Sequence, residues 1–438
     1  MYKTNIIKKL FIIVIILSLL SAFNEYSNSA QNIDDLSYAV AIGVDIGETA
    51  KYRISLQLTT MESSATESAI SDSSKSSSGG SSGSGQSSSG GEESSSKTSS
   101  NYIIQTMETD SIDSALNIAN SYINKTINLS HCKILLVSED IAKQGVEPLV
   151  NSLINKVETR PDCSIIVSKI PEGEFNDGKK PKIEELISKY YDVASNLETG
   201  RGYSETIKLN EFYLTLNDTF YQPYASLGTT YNTTKNTNEQ NVTSNLDSQS
   251  KTLITNSEKQ SVEVMGLAVF KKDKLVGTLN ANQTLSHQLI TNELDFSTLN
   301  IISPFNSNET LDIYISTYKK PKIEIYINNS SPFVKVNLYI AARIVSFNSY
   351  EINLLTEEKL NLVQRTVKNH LEKQIYDYLN TTAREYKSDI SGLGRFAVKN
   401  FITTNNWNDY NWLENYQNST FKVTVDTSIK TGNLLTQE

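Results

Sequence analysis

The sequence predicts an α+β fold in several domains, with mixed β-sheets flanked by helices and an antiparallel-rich carboxyl-terminal domain carrying one long helix. Three observations lead there. Between Asp110 and Val167 helical and extended periodicities alternate in the pattern of strand, helix and parallel strand. Between Val262 and Val345 extended segments follow one another, and a single long helical stripe comes after them. Two tracts, 62–100 and 229–260, hold few residues able to bury apolar area, yet the patterns resume beyond each.

A chain of 438 residues is long enough for two or three domains, each with its own core. Its formal net charge of −9 is scattered, which favours solubility and argues against a nucleic-acid partner. Three histidines (His131, His287, His370) and two cysteines (Cys132, Cys163) are too few soft ligands for a zinc or iron–sulfur site, so no metal and no cofactor is expected.

The chain opens with Lys3, Lys8 and Lys9 ahead of an apolar run from Leu10 to Leu17 that continues to Phe23, the order of an export signal. The run is shorter than the roughly 20 apolar residues of a spanning helix. Residues 1–31 are therefore expected to be a signal peptide or an amino-terminal anchor, and the rest to lie outside a membrane. Next come candidate strands at Leu36–Gly43 and Tyr52–Thr60, the second with Tyr52, Ile54, Leu56 and Leu58 alternating against polar neighbours. The Ser/Gly composition of 62–100 predicts a disordered insertion inside one domain.

A strand at Tyr102–Met107 leads to Asp110 as the expected cap of a helix with Ile112, Ala115, Leu116, Ala119, Tyr122 and Ile123 on one face. Ile134–Val137 reads as a buried strand, Ser138 as a cap, and Pro148 as the first turn of a helix striped by Leu149, Val150, Leu153, Ile154 and Val157. Ser164–Val167 closes the unit as a parallel strand. Cys132 and Cys163 stand at the starts of its two strands, so they are neighbours if the strands are. Two readings stay open for them, a disulfide closing about 30 residues and worth about 3 kcal/mol, or two small buried hydrophobes.

Further helices are expected around Ile183–Ala194 and through Leu209, Phe212 and Leu216. A hairpin at Val262–Phe270 and Lys274–Leu279 turns at Lys271, Lys272 and Asp273, followed by strands at Asp312–Thr317, Ile323–Ile327 and Phe333–Val345. Thr356 caps the long helix with Leu360, Val363, Val367, Leu371, Ile375 and Tyr378 facing one way, and Phe421–Ile429 is expected to complete an antiparallel sheet. The boundaries that follow are a domain at 32–200, a middle region and linker at 201–261, and a carboxyl-terminal domain at 262–435.

No pattern carries catalysis. Gly392-Leu393-Gly394 lacks the third glycine and the strand-then-helix context of a dinucleotide site and reads as a turn. Glu184-Glu185 and Glu357-Glu358 are adjacent on helices and so do not converge. His131 beside Cys132 would need an orienting partner to be a thiolate pair. His370, on the edge of its stripe, reads as packing, as do Trp407, Tyr410, Trp412 and Tyr416, for which an aromatic ligand surface is the alternative. The catalytic, metal and cofactor-binding residue sets are all expected to be empty.

Four stretches follow one another in a specific order. They are Asp34, Asp35, Leu36, Ala39, Ala41, Ile42, Gly43 and Asp45; Ser114, Ala115 and Leu116 leading to His131, Lys133, Val137, Glu139, Ala142 and Gly145; Gly266–Phe270 with Lys271, Asp273, Lys274, Leu275, Val276 and Gly277; and Asp389, Gly392, Leu393 and Gly394 leading to Trp407, Trp412 and the last strand. In this the chain resembles the Ger(x)C family, the C subunits of bacterial spore germinant receptors. The resemblance implies a non-enzymatic subunit on the outer face of the spore inner membrane. Its implied partners are the polytopic A and B membrane subunits and the membrane surface, and its implied work is to stabilise the assembly and help couple germinant binding to ion release. Family members carry a lipidated cysteine after a Leu-Ser-Ala-like box. Here Leu20, Ser21 and Ala22 are followed by Phe23, so that attachment is not expected. The other class that export allows is a secreted or envelope hydrolase acting on cell-wall material, which would need a convergent nucleophile and base.

Overall fold

The computed structural model describes residues 13–15, 18, 35–59, 102–169, 202–232, 260–328, 331–347 and 356–430. The expected signal or anchor, the Ser/Gly insertion, the helix at Ile183–Ala194 and the centre of the second polar tract lie outside them.

The first sheet forms around β1 (Leu36–Ile46), whose Ala39, Val40, Ala41, Ile42 and Val44 are all buried, so both of its faces are covered. It pairs antiparallel with β2 (Tyr52–Thr59), which pairs with β3 (Tyr102–Thr109). On its other side it runs parallel to β5 (Ile134–Ser138), preceded by the short β4 (Thr126–Asn128), and β5 runs parallel to β6 (Ser164–Ser168). The parallel unit expected from the sequence is therefore present. β7 (Tyr224–Asn232), β8 (Gln260–Lys271) and β9 (Lys274–Leu279) extend the sheet, giving the order β3-β2-β1-β5-β6-β7-β8-β9. The hairpin expected at Val262–Leu279 thus forms at the edge of the first sheet.

One face of this sheet is covered by α1 (Ile112–Tyr122), α2 (Glu139–Gln144), α3 (Glu147–Ile154) and α4 (Leu209–Leu216). Ser111, one residue beyond the expected Asp110, caps α1 by accepting from Ser114 N at 3.1 Å. The Asp110 carboxylate accepts from Lys51 N instead. α3 ends at Ile154, so Val157, expected on its stripe, is fully exposed.

The second sheet has the order β10-β11-β12-β13, with β10 at Ser297–Ile302, β11 at Thr310–Asn328, β12 at Ser331–Phe347 and β13 at Thr420–Lys430. β11 is one long strand where two were expected. Pro321, which has no N–H to give to the ladder, sits where its register with β12 shifts, between Thr317 and Lys322. β13 runs parallel to β12, against the expected antiparallel closure. The chain leaves β12, returns along the 24-residue α6 (Glu357–Asn380) and short helices, and so re-enters in the same direction.

Thr356 caps α6 as expected. Val363, Val367, Leu371, Ile375 and Tyr378 are fully buried along it. Each such side chain contributes about 1.5–3 kcal/mol. α6 also protects the edge of β13, since Val425 N donates to Glu372 Oε1 at 2.9 Å and Gln364 Nε2 donates to the Thr427 carbonyl at 2.5 Å.

α5 (Ala281–Thr291) connects the two sheets and was not foreseen. β8 belongs to both bodies, because alternation sends Ala268 and Phe270 into the core under the first sheet and Leu267 and Val269 into the core of the second.

Candidate functional site

Three groups that burial shifts strongly, Glu205, His287 and Asp389, gather where the two cores meet. β8, β9, α5, the end of α6 and the segments 202–208 and 218–223 all converge there.

The fourth sequence stretch makes one half of this joint. Asp389 is fully buried, and its carboxylate accepts from Leu393 N at 3.2 Å, Gly394 N at 2.9 Å and Trp412 Nε1 at 2.9 Å. Burial pushes its pKa up to about 6 against the pull of those donors. Gly392 turns the chain at φ +68°, and a Cβ on Gly394 would collide with the Phe220 carbonyl and the Trp412 ring. Gly392-Leu393-Gly394 is thus a turn, as its missing third glycine implied. Asp389 O accepts from Gln222 N at 2.8 Å, and Trp407 Nε1 donates to Thr219 Oγ1 at 3.0 Å while stacking on Phe220. Trp407, Trp412 and Tyr416 are buried packing residues.

The third stretch supplies the opposing surface. Tyr386 lies against Gly277 and donates to the Thr278 carbonyl at 2.8 Å, and Ser388 Oγ donates to the Phe270 carbonyl at 2.6 Å. The second stretch reaches the same hairpin, because Val146 N donates to Asp273 O at 3.0 Å and Gly145, at φ +133°, leaves room for the Asp273 carboxylate. The first stretch backs the second, since Lys133 N donates to Val40 O at 2.8 Å. The four stretches form one continuous set of contacts.

A buried polar chain crosses the centre. Tyr224 donates to Glu205 Oε1 at 2.5 Å, Glu205 Oε2 lies 3.5 Å from His287 Nε2, His287 Nδ1 meets Tyr378 Oη at 2.9 Å, and Tyr378 Oη meets Ser391 Oγ at 2.7 Å. Burial raises the Glu205 pKa to about 7 and lowers that of His287 to about 3. The segment carrying Glu205 is held to α5 by Gly202 N donating to Gln288 Oε1 and Gln288 Nε2 donating to Ser204 O, each at 2.8 Å.

Sequence reasoning missed Glu205 and His287. The available signal was a lone histidine in a polar helix, and α5 buries Thr284, Ser286, His287 and Gln288 where a legible stripe would have had aliphatic residues.

The other candidates lie apart from the joint. His131 is exposed with its ring 4.4 Å from Tyr38, while the neighbouring Cys132 points into the core, so the two form no thiolate pair. Cys132 and Cys163 do become neighbours, as buried free thiols with sulfurs 3.6 Å apart. His370 is exposed, against the packing role expected. Glu357 and Glu358 sit exposed in the first turn of α6, where acidic side chains suit the helix dipole. Among the described residues no group of histidine, cysteine and carboxylate side chains gathers to hold a metal, and no helix is long and apolar enough to cross a membrane.

Two family sequence models match the chain in order. "Spore germination protein N-terminal domain" covers residues 29–230, and "Spore germination B3/ GerAC like, C-terminal" covers residues 265–432. The provisionally named spore germination protein YfkR of Bacillus subtilis (strain 168) is 21% identical over 342 residues, 77% of this chain and 80% of that protein. Spore germination protein GerQC of Bacillus cereus is 21% identical over 306 residues, 69% of this chain and 75% of that protein. The crystal structure of the GerBC protein aligns over 89% of this chain and 96% of that one, with 17% identity and a TM-score of 0.46.

Proposed function

The chain belongs to the Ger(x)C family of spore germination receptor C subunits, and from that premise we propose that it is a non-enzymatic, exported, membrane-associated binding subunit. It assembles with polytopic A and B membrane subunits on the outer face of the spore inner membrane and helps couple germinant binding, in a pocket held by a partner, to ion release. One observation carries this reading. The two family models follow one another along residues 29–230 and 265–432, and the stretches that carry the resemblance spend their polar groups on a joint between two cores. Such a joint fixes two bodies relative to one another, which suits a part that presents surfaces to partners. With Phe23 where the family has a lipidated cysteine, attachment relies on the apolar amino-terminal segment or on the partner subunits.

The test is fractionation of spores that express a carboxyl-tagged copy, with salt and detergent washes and mass determination of the mature amino terminus. Recovery in detergent-extracted inner membrane with two membrane subunits attached is the expected result. A protein released by salt alone, without partners, would overturn the assignment.

A further inference from the structure

We propose that Glu205 and His287 form a single-proton couple in which the proton resides on the Glu205 carboxyl and latches the 202–208 segment onto α5. The two side chains come from opposite sides of the joint, Glu205 from the segment leading to α4 and His287 from the middle of α5. Both are buried, Glu205 at 4% and His287 at 0% exposure, and their facing atoms Oε2 and Nε2, 3.5 Å apart, have no hydrogen-bond partner.

The other groups around the couple make it directional. Tyr224 on β7 donates to Oε1, which is then the carbonyl oxygen of a carboxylic acid. Oε2 carries the proton toward His287 Nε2. His287 Nδ1–H then donates to Tyr378 on α6, whose hydroxyl donates to Ser391. In this arrangement every donor along the chain faces an acceptor, and no charge is buried. An ion pair would bury two charges at 3.5 Å with Tyr224 as the one neutral donor to the carboxylate.

The charged groups around the couple disfavour a carboxylate as well. Glu293 just beyond α5 and Glu211 on α4 both oppose a negative charge on Glu205, and Asp389 is the acid whose field reaches Tyr378. No cation figures among the groups acting on Glu205. Burial, with Glu293 and Glu211 adding to it, raises the carboxyl to about 7, and burial lowers the imidazole to about 3.

The proton count gives an unusual signature. The folded couple holds one proton from about pH 3 to about pH 7. Unfolded, with ordinary values of 4.5 for Glu and 6.5 for His, the two groups also hold one proton between those limits, so the couple adds no pH dependence there. Removing one member exposes the other. In Glu205→Gln the unfolded histidine binds the extra proton, and the unfolding constant, relative to wild type, falls by up to about tenfold per pH unit as pH rises. In His287→Gln the folded acid holds the extra proton, and the constant rises by up to about tenfold per unit.

The experiment is denaturant unfolding of the full chain in detergent from pH 4.5 to 6.5, with wild type and both variants, together with infrared spectra of the carboxylic acid stretch. Opposite slopes in the two variants, and loss of one acid band in Glu205→Gln, are expected. Slopes that match wild type, or an acid band unchanged by Glu205→Gln, overturn the proposal. An ion pair keeps the single proton but gives no acid band, and so overturns it too. If a variant fails to fold, a heavy-carbon label on the glutamate side-chain carboxyls of the wild type separates the Glu205 band from that of Asp389. A labelled chain with no acid band at pH 6.5 then decides against it.

Discussion

Ring carbons of Tyr386 occupy the space that a Cβ on Gly277 would need, while the Tyr386 hydroxyl donates to the carbonyl of the next residue, Thr278, at 2.8 Å. The tyrosine belongs to the turn after α6 and the glycine to β9, so this contact ties the end of the second body to the edge of the first sheet. Gly277→Ala is expected to destabilise by about 1–3 kcal/mol, because a methyl group forced into a packed site displaces its neighbour. Tyr386→Ala removes the obstacle along with its own contacts. The double variant should therefore be less destabilised than the sum of the two single variants, measured in a denaturant double-mutant cycle. Strict additivity would mean that the two residues do not share the space.

Asp389 supports a separate prediction. A carboxylate there accepts from two backbone N–H groups and from Trp412, whereas an asparagine turns an NH₂ toward some of those donors. Asp389→Asn should cost about 1–3 kcal/mol and shift the tryptophan emission, since Trp412 loses its partner. The pH sign follows from the direction of the shift. The folded carboxyl is raised from 3.8 to about 6, so its contribution is complete below the lower value and is lost as pH rises through the upper one. In the variant that loss should disappear from the unfolding free energy measured between pH 4 and pH 7.

Much of this architecture was legible because each element announced itself through one clean period. The buried runs Ile134–Val137 and Ser164–Val167, the stripe of α6 from Val363 to Tyr378, and the caps Ser138 and Thr356 all follow local chemistry that the fold leaves in place. The joint was legible only in part. Gly277, Gly394 and Asp389 stood in the stretches that carry the family resemblance, yet nothing local told that they meet, because their partners lie far along the chain. α5 was illegible for a different reason. It is almost wholly buried and mixes Leu285, Leu289 and Ile290 with polar residues, of which His287 and Gln288 bond to other elements, so no hydrophobic period stands out. The direction of β13 is likewise set by the long return through α6, which no periodicity within β13 records.

The Cys132 and Cys163 sulfurs lie 3.6 Å apart, so closing a bond needs an approach to about 2.05 Å. The neighbouring Cys132 thiol and then burial push the Cys163 thiol well up, which makes it a poor nucleophile once folded. A disulfide must then form during folding, by exchange with an external disulfide that takes up the two electrons and two protons. We predict that the exported chain carries the Cys132–Cys163 bond and that the chain made in a reducing cytoplasm does not. Denaturing, non-reducing alkylation followed by mass spectrometry separates the cases. Two alkylated thiols in the exported chain would show that the pair stays as buried hydrophobes.

Glu108 gives a prediction of opposite pH sign at the other end of the first sheet. From β3 its carboxylate accepts from Glu48 N at 3.0 Å, from Thr49 N at 2.6 Å and from the Thr49 hydroxyl, and it meets Arg53 at 3.3 Å. These donors, with the Glu48 backbone first among them, pull its pKa from 4.5 to about 2. A lowered folded value means that the contribution is present above 4.5 and is lost as pH falls through 2. The turn joining β1 and β2 carries three of the four donors, so it should open first in acid. Hydrogen exchange at Glu48 and Thr49 is expected to speed up as pH falls below 4.5, after correction for the intrinsic rate, and Glu108→Gln should show the faster exchange at neutral pH already. Equal protection of the two chains at neutral pH would mean that the turn is held by its backbone alone.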